Sequence, residues 1–251
     1  MLNIVIPMAG EGTRFKYSGY KEPKPMIDIN NKKMIELVIN NIKPNRLHRF
    51  IFICRTQHLE ETALETILKK SSKDCIILGV DHVTNGAAET VLKSKKYINN
   101  DSQLMIVNCD QWIDINIDNY LDVLDKSHLD GLIMTMTAND DKWSYLRLND
   151  DEKVLEVREK EVISTEASVG IYNFRRGRDF CYAATKMIRE NNYSMGEFYV
   201  APVYNYLINE NLAAIGYYNI GSEFNGMYGL GVPKDLEKFM SCDVLSRATN
   251  F

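Results

Sequence analysis

The chain has 251 residues, 45% of them hydrophobic and 25% charged, with 30 Lys and Arg against 34 Asp and Glu and a formal net charge of −4. That length fills one core and about two domains at most, and the acidic balance excludes duplex nucleic acid, which needs a strongly basic face. The opening MLNIVIPMAG carries no basic leader and no apolar run long enough for a signal peptide or a membrane span, so a cytoplasmic location with no membrane partner is expected.

In chain order, the apolar run at residues 3–7 predicts a first strand. The next stretch, MAGEGTRFKYSGYKEPKPM, contains Gly10, Gly12, Gly19, Pro23 and Pro25 and is expected to be a long loop without a helix. Ligands of open α/β sheets bind at such strand ends. Arg14, Lys16, Lys21 and Lys24 face only Glu11 and Glu22 there, a local surplus of two positive charges. Neither familiar phosphate fingerprint fits. Phe15 stands where GxGxxG needs its third glycine, and the Gly-Lys-Ser/Thr of Walker A is missing. The residues offer exposed backbone N–H groups over 10–13 with Arg14 and Lys24 as charge, an anion cradle. The plainer alternative is a glycine turn with solvated charges.

Residues 50–54, 75–78 and 104–108 read as further strands, with helices at about 34–42, 60–70, 86–98 and 117–127. Four β-α units in a row predict the α/β class: a Rossmann-like, open, mostly parallel sheet flanked by helices. The second half reads differently. Strands at 131–137, 145–148, 154–159 and 167–174 leave little room for crossover helices, so antiparallel pairing is expected. Helices at 177–190 and 198–209, a strand at 213–219 and a helix over 233–246 with Pro233 in its first turn complete the chain. No linker or repeat divides it, which predicts one domain over 1–251. Cys54, Cys75, Cys109, Cys181 and Cys242 are widely spaced and odd in number, and read as reduced thiols. The histidines, His48, His58, His82 and His128, lack metal-ligand spacing.

The motifs GEGTRF and Lys24-Pro25-Met26, ten positions beyond Arg14, continue in order with NGAAET, NCDQW, VREK, SVGIY, GEF and GLGVPKDL. Together they resemble the nucleotidylyltransferase family of sugar-1-phosphate nucleotidylyltransferases and choline-phosphate cytidylyltransferases. TNGAAETV and MYGLGVPKDL are most similar to a bacterial capsule branch that includes a CTP:phosphoglutamine cytidylyltransferase. The resemblance implies a GT-A-like sheet with residues 1–130 as the nucleotide-binding half and 131–251 as the acceptor-binding half. It also implies Mg²⁺ and attack of a small phosphorylated acceptor on the α-phosphate of CTP, or of another nucleoside triphosphate. The leading acceptor is L-glutamine phosphate, giving CDP-L-glutamine and pyrophosphate.

Carried onto this sequence, the family roles give the nucleotide Met8, Ala9, Gly10, Glu11, Gly12, Thr13, Arg14 and Lys24, with Thr84, Asn85 and Gly86 beside the base and Asp110 at the metal. Arg14, Lys24 and Lys160 supply catalytic charge, and Glu159, Lys160, Tyr172, Arg175 and Glu197 meet the acceptor. A second metal carboxylate is expected where Gly229 stands, which leaves Glu223, Asn225, or phosphate and water to complete the shell. Ser144, flanked by Trp143 and Tyr145, replaces a glycine common in sugar-specific relatives. A phosphorylated amino acid would need both an acid and a base in its pocket, for which Glu159 or Glu197 with Arg175 or Arg176 are the candidates. The rival readings are a sugar-1-phosphate nucleotidylyltransferase, a glycosyltransferase, which would normally show DxD where Asp110 is followed by Gln111 and Trp112, and a non-catalytic nucleotide-binding regulator.

Overall fold

Alternate residues of the first strand enter opposite cores: Leu2, Ile4, Ile6 and Met8 one, Val5 the other. A strand with apolar side chains on both faces belongs inside a sheet covered on both sides. The computed structural model describes residues 1–251. Its first half comprises β1 (Leu2–Met8), α1 (Thr13–Tyr17), β2 (Asp28–Ile29), β3 (Lys32–Lys33), α2 (Met34–Asn41), β4 (His48–Arg55), α3 (Thr56–Glu61), α4 (Leu64–Ser71), β5 (Ile76–Val80), α5 (Ala87–Leu92), α6 (Lys95–Ile98), β6 (Gln103–Val107), β7 (Gln111–Ile113) and α7 (Ile117–Lys126). The second half adds β8 (Gly131–Thr137), β9 (Ser144–Leu148), β10 (Val154–Glu159), β11 (Glu166–Phe174), α8 (Gly177–Arg189), α9 (Val203–Asn209), β12 (Ile215–Glu223), β13 (Gly226–Gly229), α10 (Pro233–Met240) and α11 (Val244–Thr249).

One sheet runs in the order β5-β4-β1-β6-β11-β8-β12-β13-β7, with the β9–β10 hairpin joined to β11. β1 pairs in parallel with β4 and β6, and β4 with β5. β11 is antiparallel to both β6 and β8. The carboxyl ends of β1, β4 and β6 and the amino end of β11 therefore share one edge, the edge where ligands of such sheets bind. α2, α4 and α7 cover one face, and α5, α8 and α9 the other. On α7, Ile117, Tyr120, Leu121 and Leu124 form the buried stripe, and the Asn116 side chain caps the first turn by accepting from the Asp118 N–H at 2.9 Å. A third cluster of Phe15, Met34, Leu37, Trp112, Tyr228 and Phe239 ties the first loop to α10.

Several expectations are corrected. The first loop does contain a short helix, α1, because Gly12 turns the chain with φ 64, its carbonyl accepts from Phe15 and Lys16, and Phe15 is buried. The helix expected over 86–98 breaks after Leu92, where Lys93 and Ser94 bond i−3 carbonyls and the Ser94 hydroxyl also donates to Val91 O at 2.7 Å. The helix expected over 60–70 is two helices, α3 and α4, as is the one expected over 233–246, now α10 and α11. The helix expected from residue 198 starts at Val203, because Phe198 is bonded to the Asn85–Ala88 turn instead. β12, whose partner the sequence left open, pairs with β8 in parallel. The short strands β2, β3, β7 and β13 carry no alternation long enough to be read from sequence.

Candidate active site

A cleft of about 480 Å³ opens at the shared strand edge, lined by Met8, Ala9, Gly10, Glu11, Gly12, Thr13, Lys24, Thr84, Gly86, Asn108, Asp110 and Glu197 among others. β1 ends at Met8 and releases the chain into the glycine loop. None of the backbone N–H groups of Gly10, Glu11, Gly12, Thr13 and Arg14 donates to a protein acceptor. Unpaired backbone donors are costly unless water or a ligand satisfies them, and consecutive ones make an anion-binding concavity. Arg14 is exposed on α1, and its charge is felt at Lys24.

Lys24 opens the tight turn Lys24–Met26, anchored by buried Pro25 and Met26, and its Nζ is ion-paired with Asp110. Burial alone would lower the Lys24 pKa, but the charge and hydrogen bond of Asp110, together with Cys109, carry it above its ordinary value. Asp110 follows β6, and its carbonyl accepts from Leu230 N at 2.8 Å. Its Oδ2 lies where a Cβ on Gly231 would come within 2.5 Å, so glycine there leaves room for the carboxylate. Beside Asp110 in the chain, Cys109 also lines the cleft, and burial pushes its thiol up to about 11, which keeps it a neutral wall group.

A magnesium ion commonly takes one or two carboxylates and fills its shell with phosphate and water oxygens, and Asp110 offers the first of these. No group of three His, Cys, Asp or Glu side chains gathers into a self-sufficient metal site. Glu223 is ion-paired with Lys142 at 2.8 Å, Asn225 belongs to a tight turn closed onto Ser222, and neither lines the cleft. The donor set thus fits a phosphate-completed ion at Asp110.

The opposite wall is built around Gly86. Phe198 N donates to Asn85 O at 2.7 Å, and Ala88 N donates to Phe198 O at 2.9 Å. A Cβ on Gly86 would stand 2.5 to 2.6 Å from the Phe198 N and O, and its φ is 125, so only glycine fits. Thr84 and Thr90 hydroxyls meet at 2.5 Å and both reach Gly86 O. The Asn85 side chain and N–H turn instead to Glu89, at 2.9 Å each, so Asn85 braces the wall without lining the cleft.

On the acceptor side, Glu197 lines the same cleft, and Glu159 accepts a short hydrogen bond from the Ser144 hydroxyl. Burial raises the Glu159 pKa, and Glu197 adds to the rise, while Ser144 and Lys160 oppose it. Lys160 Nζ donates to the Tyr199 hydroxyl at 3.0 Å. Tyr172 is buried, with its hydroxyl 3.0 Å from Ser168 Oγ, so it underlies the acceptor side rather than lining it. Arg175 is a correction. It follows the far end of β11, at the opposite sheet edge, and donates to the carbonyls of Leu124, Ser127 and Leu129 that close α7. Arg176 is paired with Asp130 and Asp179 at that same end. Sequence reading passed over Asn108, whose place at a strand end was a usable signal, and Tyr199, which meets Lys160 from 39 residues away and gave none.

Comparison with known proteins agrees with this fold. A nucleoside-diphosphate-sugar pyrophosphorylase from Vibrio cholerae RC9 superposes with a TM-score of 0.77 at 26% identity, over 95% of this chain and 100% of that one. The inositol-1-phosphate CTP transferase of T. maritima gives 0.77 at 12% identity, over 99% and 96%. A putative glucose-1-phosphate thymidylyltransferase from Bacillus anthracis gives 0.75 at 14%, over 100% and 97%. At those last two identities the likeness is one of fold alone. A search of curated proteins finds no match. The family model described as nucleotidyl transferase spans residues 4–201, from the first strand through the glycine loop and Asp110 to Glu197. By that match across most of its length, the chain belongs to the nucleotidyl transferase family.

Proposed function

We propose that this enzyme is a magnesium-dependent cytidylyltransferase that joins CTP to a small phosphorylated acceptor, with L-glutamine phosphate as the leading substrate and CDP-L-glutamine, for capsule modification, as the product. An oxygen of the acceptor phosphate forms a bond to the α-phosphorus of CTP while the bond to the β-phosphate bridging oxygen breaks, and pyrophosphate leaves with that oxygen and its electron pair. The obstacle is repulsion between anions. Two unit charges ~4 Å apart interact by about 4 kcal/mol at an effective dielectric of about 20, and this encounter holds several such pairs. Placement and neutralisation therefore carry the rate.

The observation that carries the reading is the run of unpaired amides over Gly10 to Arg14 beside the Lys24–Asp110 pair. In this reading the amides and Arg14 hold the leaving phosphates, Lys24 is released from Asp110 toward the α-phosphate, and Lys160 meets the acceptor phosphate. Magnesium, when bound at Asp110, would add neutralising charge at the α-phosphate. Glu159 and Glu197 suit an acceptor ammonium, and Gly86 leaves one face open to a base.

A sugar-1-phosphate acceptor is the second reading, favoured by the likeness to the Vibrio cholerae pyrophosphorylase. A pyrophosphate-release screen of four nucleoside triphosphates against L-glutamine phosphate, phosphocholine and sugar 1-phosphates separates them. CTP with L-glutamine phosphate is expected to give the fastest release. Faster release with a sugar 1-phosphate would replace the proposed acceptor, and nucleotide binding without release from any pair would favour a regulator.

A further inference from the structure

Lys160 follows β10 with φ 55, a left-handed conformation that costs an ordinary side chain about 1 kcal/mol. Its N–H donates to Trp143 O at 2.9 Å, which fixes that bend. The ammonium has two carboxylates in its neighbourhood, Glu159 and Glu197, and both act on its charge. Yet the group it bonds is the neutral Tyr199 hydroxyl, at 3.0 Å, with its Nζ 5.2 Å from the centre of the same ring.

A carboxylate partner would cancel the charge that an incoming phosphate needs, whereas a phenol accepts the hydrogen bond and leaves the charge whole. Tyr199 is itself immobilised from the nucleotide side. Phe198, its chain neighbour, is held through both backbone groups by the turn around Gly86. The contact from Lys160 to Tyr199 thus links the acceptor strand to the wall of the nucleotide cleft.

We infer that Tyr199 is a positioning residue, a hydroxyl docking post that holds the Lys160 ammonium on the acceptor side without a directly ion-paired carboxylate and in register with the bound nucleotide. The inference rests on the reading of Lys160 as the acceptor-phosphate lysine. Tyr199→Phe keeps the ring and its packing and removes only the hydroxyl. That hydroxyl is the foremost influence raising the Lys160 pKa, so its removal is expected to move the alkaline titration of Lys160 to lower pH.

The titration is followed by ¹³C NMR on enzyme with ¹³C-methylated lysines, the resonance missing from Lys160→Ala identifying the residue. In pyrophosphate release with CTP and L-glutamine phosphate, or with the sugar 1-phosphate that turns over, Tyr199→Phe is expected to raise the acceptor KM about tenfold. The CTP KM is expected to stay within about twofold, because the hydroxyl meets Lys160 alone. A Lys160 titration unchanged in Tyr199→Phe overturns the inference whatever the kinetics. A raised acceptor KM in Lys160→Ala with a normal one in Tyr199→Phe also overturns it, while a normal acceptor KM in Lys160→Ala instead removes the assignment on which it rests.

Discussion

At the residue scale, the pairing of Lys24 with Asp110 places one positive and one negative group on the cleft, where the proposed reaction would use a cation for phosphate and a carboxylate for metal. Lys24→Ala is expected to lower kcat/KM for pyrophosphate release by about 10²–10³-fold, the range for losing one preorganised charge at a reacting centre. The unfolding temperature should hold, since neither partner fills the core. A loss of turnover explained by unfolding would leave the role unsupported. Arg175→Ala carries the opposite expectation: three carbonyls of the α7 terminus lose their donor, so denaturant unfolding should show a loss of roughly 1.5–3 kcal/mol while the acceptor KM stays unchanged. Glu159 supplies a pH dependence. Burial raises its folded pKa, so the folded state gains from the neutral carboxyl below the unfolded-chain pKa and loses that advantage as pH rises through the folded value. Glu159→Gln removes the ionisation. Its unfolding temperature should exceed that of the wild type at neutral pH and converge with it in acid, and a constant difference across pH would contradict the assignment.

At the scale of elements, the glycine loop and the turn around Gly86 do different work. The loop is open: a Cβ on Gly12 would meet Lys24 Cβ at an ordinary 3.5 Å, and only its φ of 64 resists substitution. The Gly86 turn is closed against Phe198 backbone, so Gly86→Ala must part Asn85 and Ala88 from Phe198. We expect Gly86→Ala to destabilise by roughly 2–4 kcal/mol, and Gly12→Ala by about 1 kcal/mol, in the same denaturant series. Equal losses would mean that the Phe198 clasp is not a structural constraint. The loop was legible in sequence because its glycines, prolines and cations are consecutive, and their chemistry needs no distant partner to be recognised. The clasp was not, because it joins Gly86 to Phe198 across the whole of β6 to α8, and a lone Gly before a helix signals only a helix start. Arg175 was misplaced for a related reason. SVGIY marks β11 correctly, but whether the residue after it reaches the cleft depends on β11 running antiparallel to β6, a direction that side-chain pattern does not encode.

At the scale of the whole molecule, an acidic chain gathers its unpaired amides and Lys24 at one sheet edge, where the proposed polyanion would bind. The α/β pattern of the first half was readable from alternating periods, and it sets that edge because parallel strands end together. The second half was readable as strands and as antiparallel pairing among β8 to β11, but not in the place of its last long strand, since β12 reaches its parallel partner β8 only after β9 to β11 and two helices have intervened. That both halves contribute to a single sheet explains how Glu197 comes to line the same cleft as Gly10. Everything proposed for the reaction depends on the triphosphate lying in the loop. The direct measurement is amide NMR of the enzyme titrated with CTP and magnesium, with hydrogen exchange at saturation. The amides of Gly10, Glu11, Gly12, Thr13 and Arg14 are expected to shift together and become protected as phosphate oxygens take their unpaired N–H groups. Saturable CTP binding that leaves those five amides unshifted and freely exchanging, with the changes at another surface, would contradict the account.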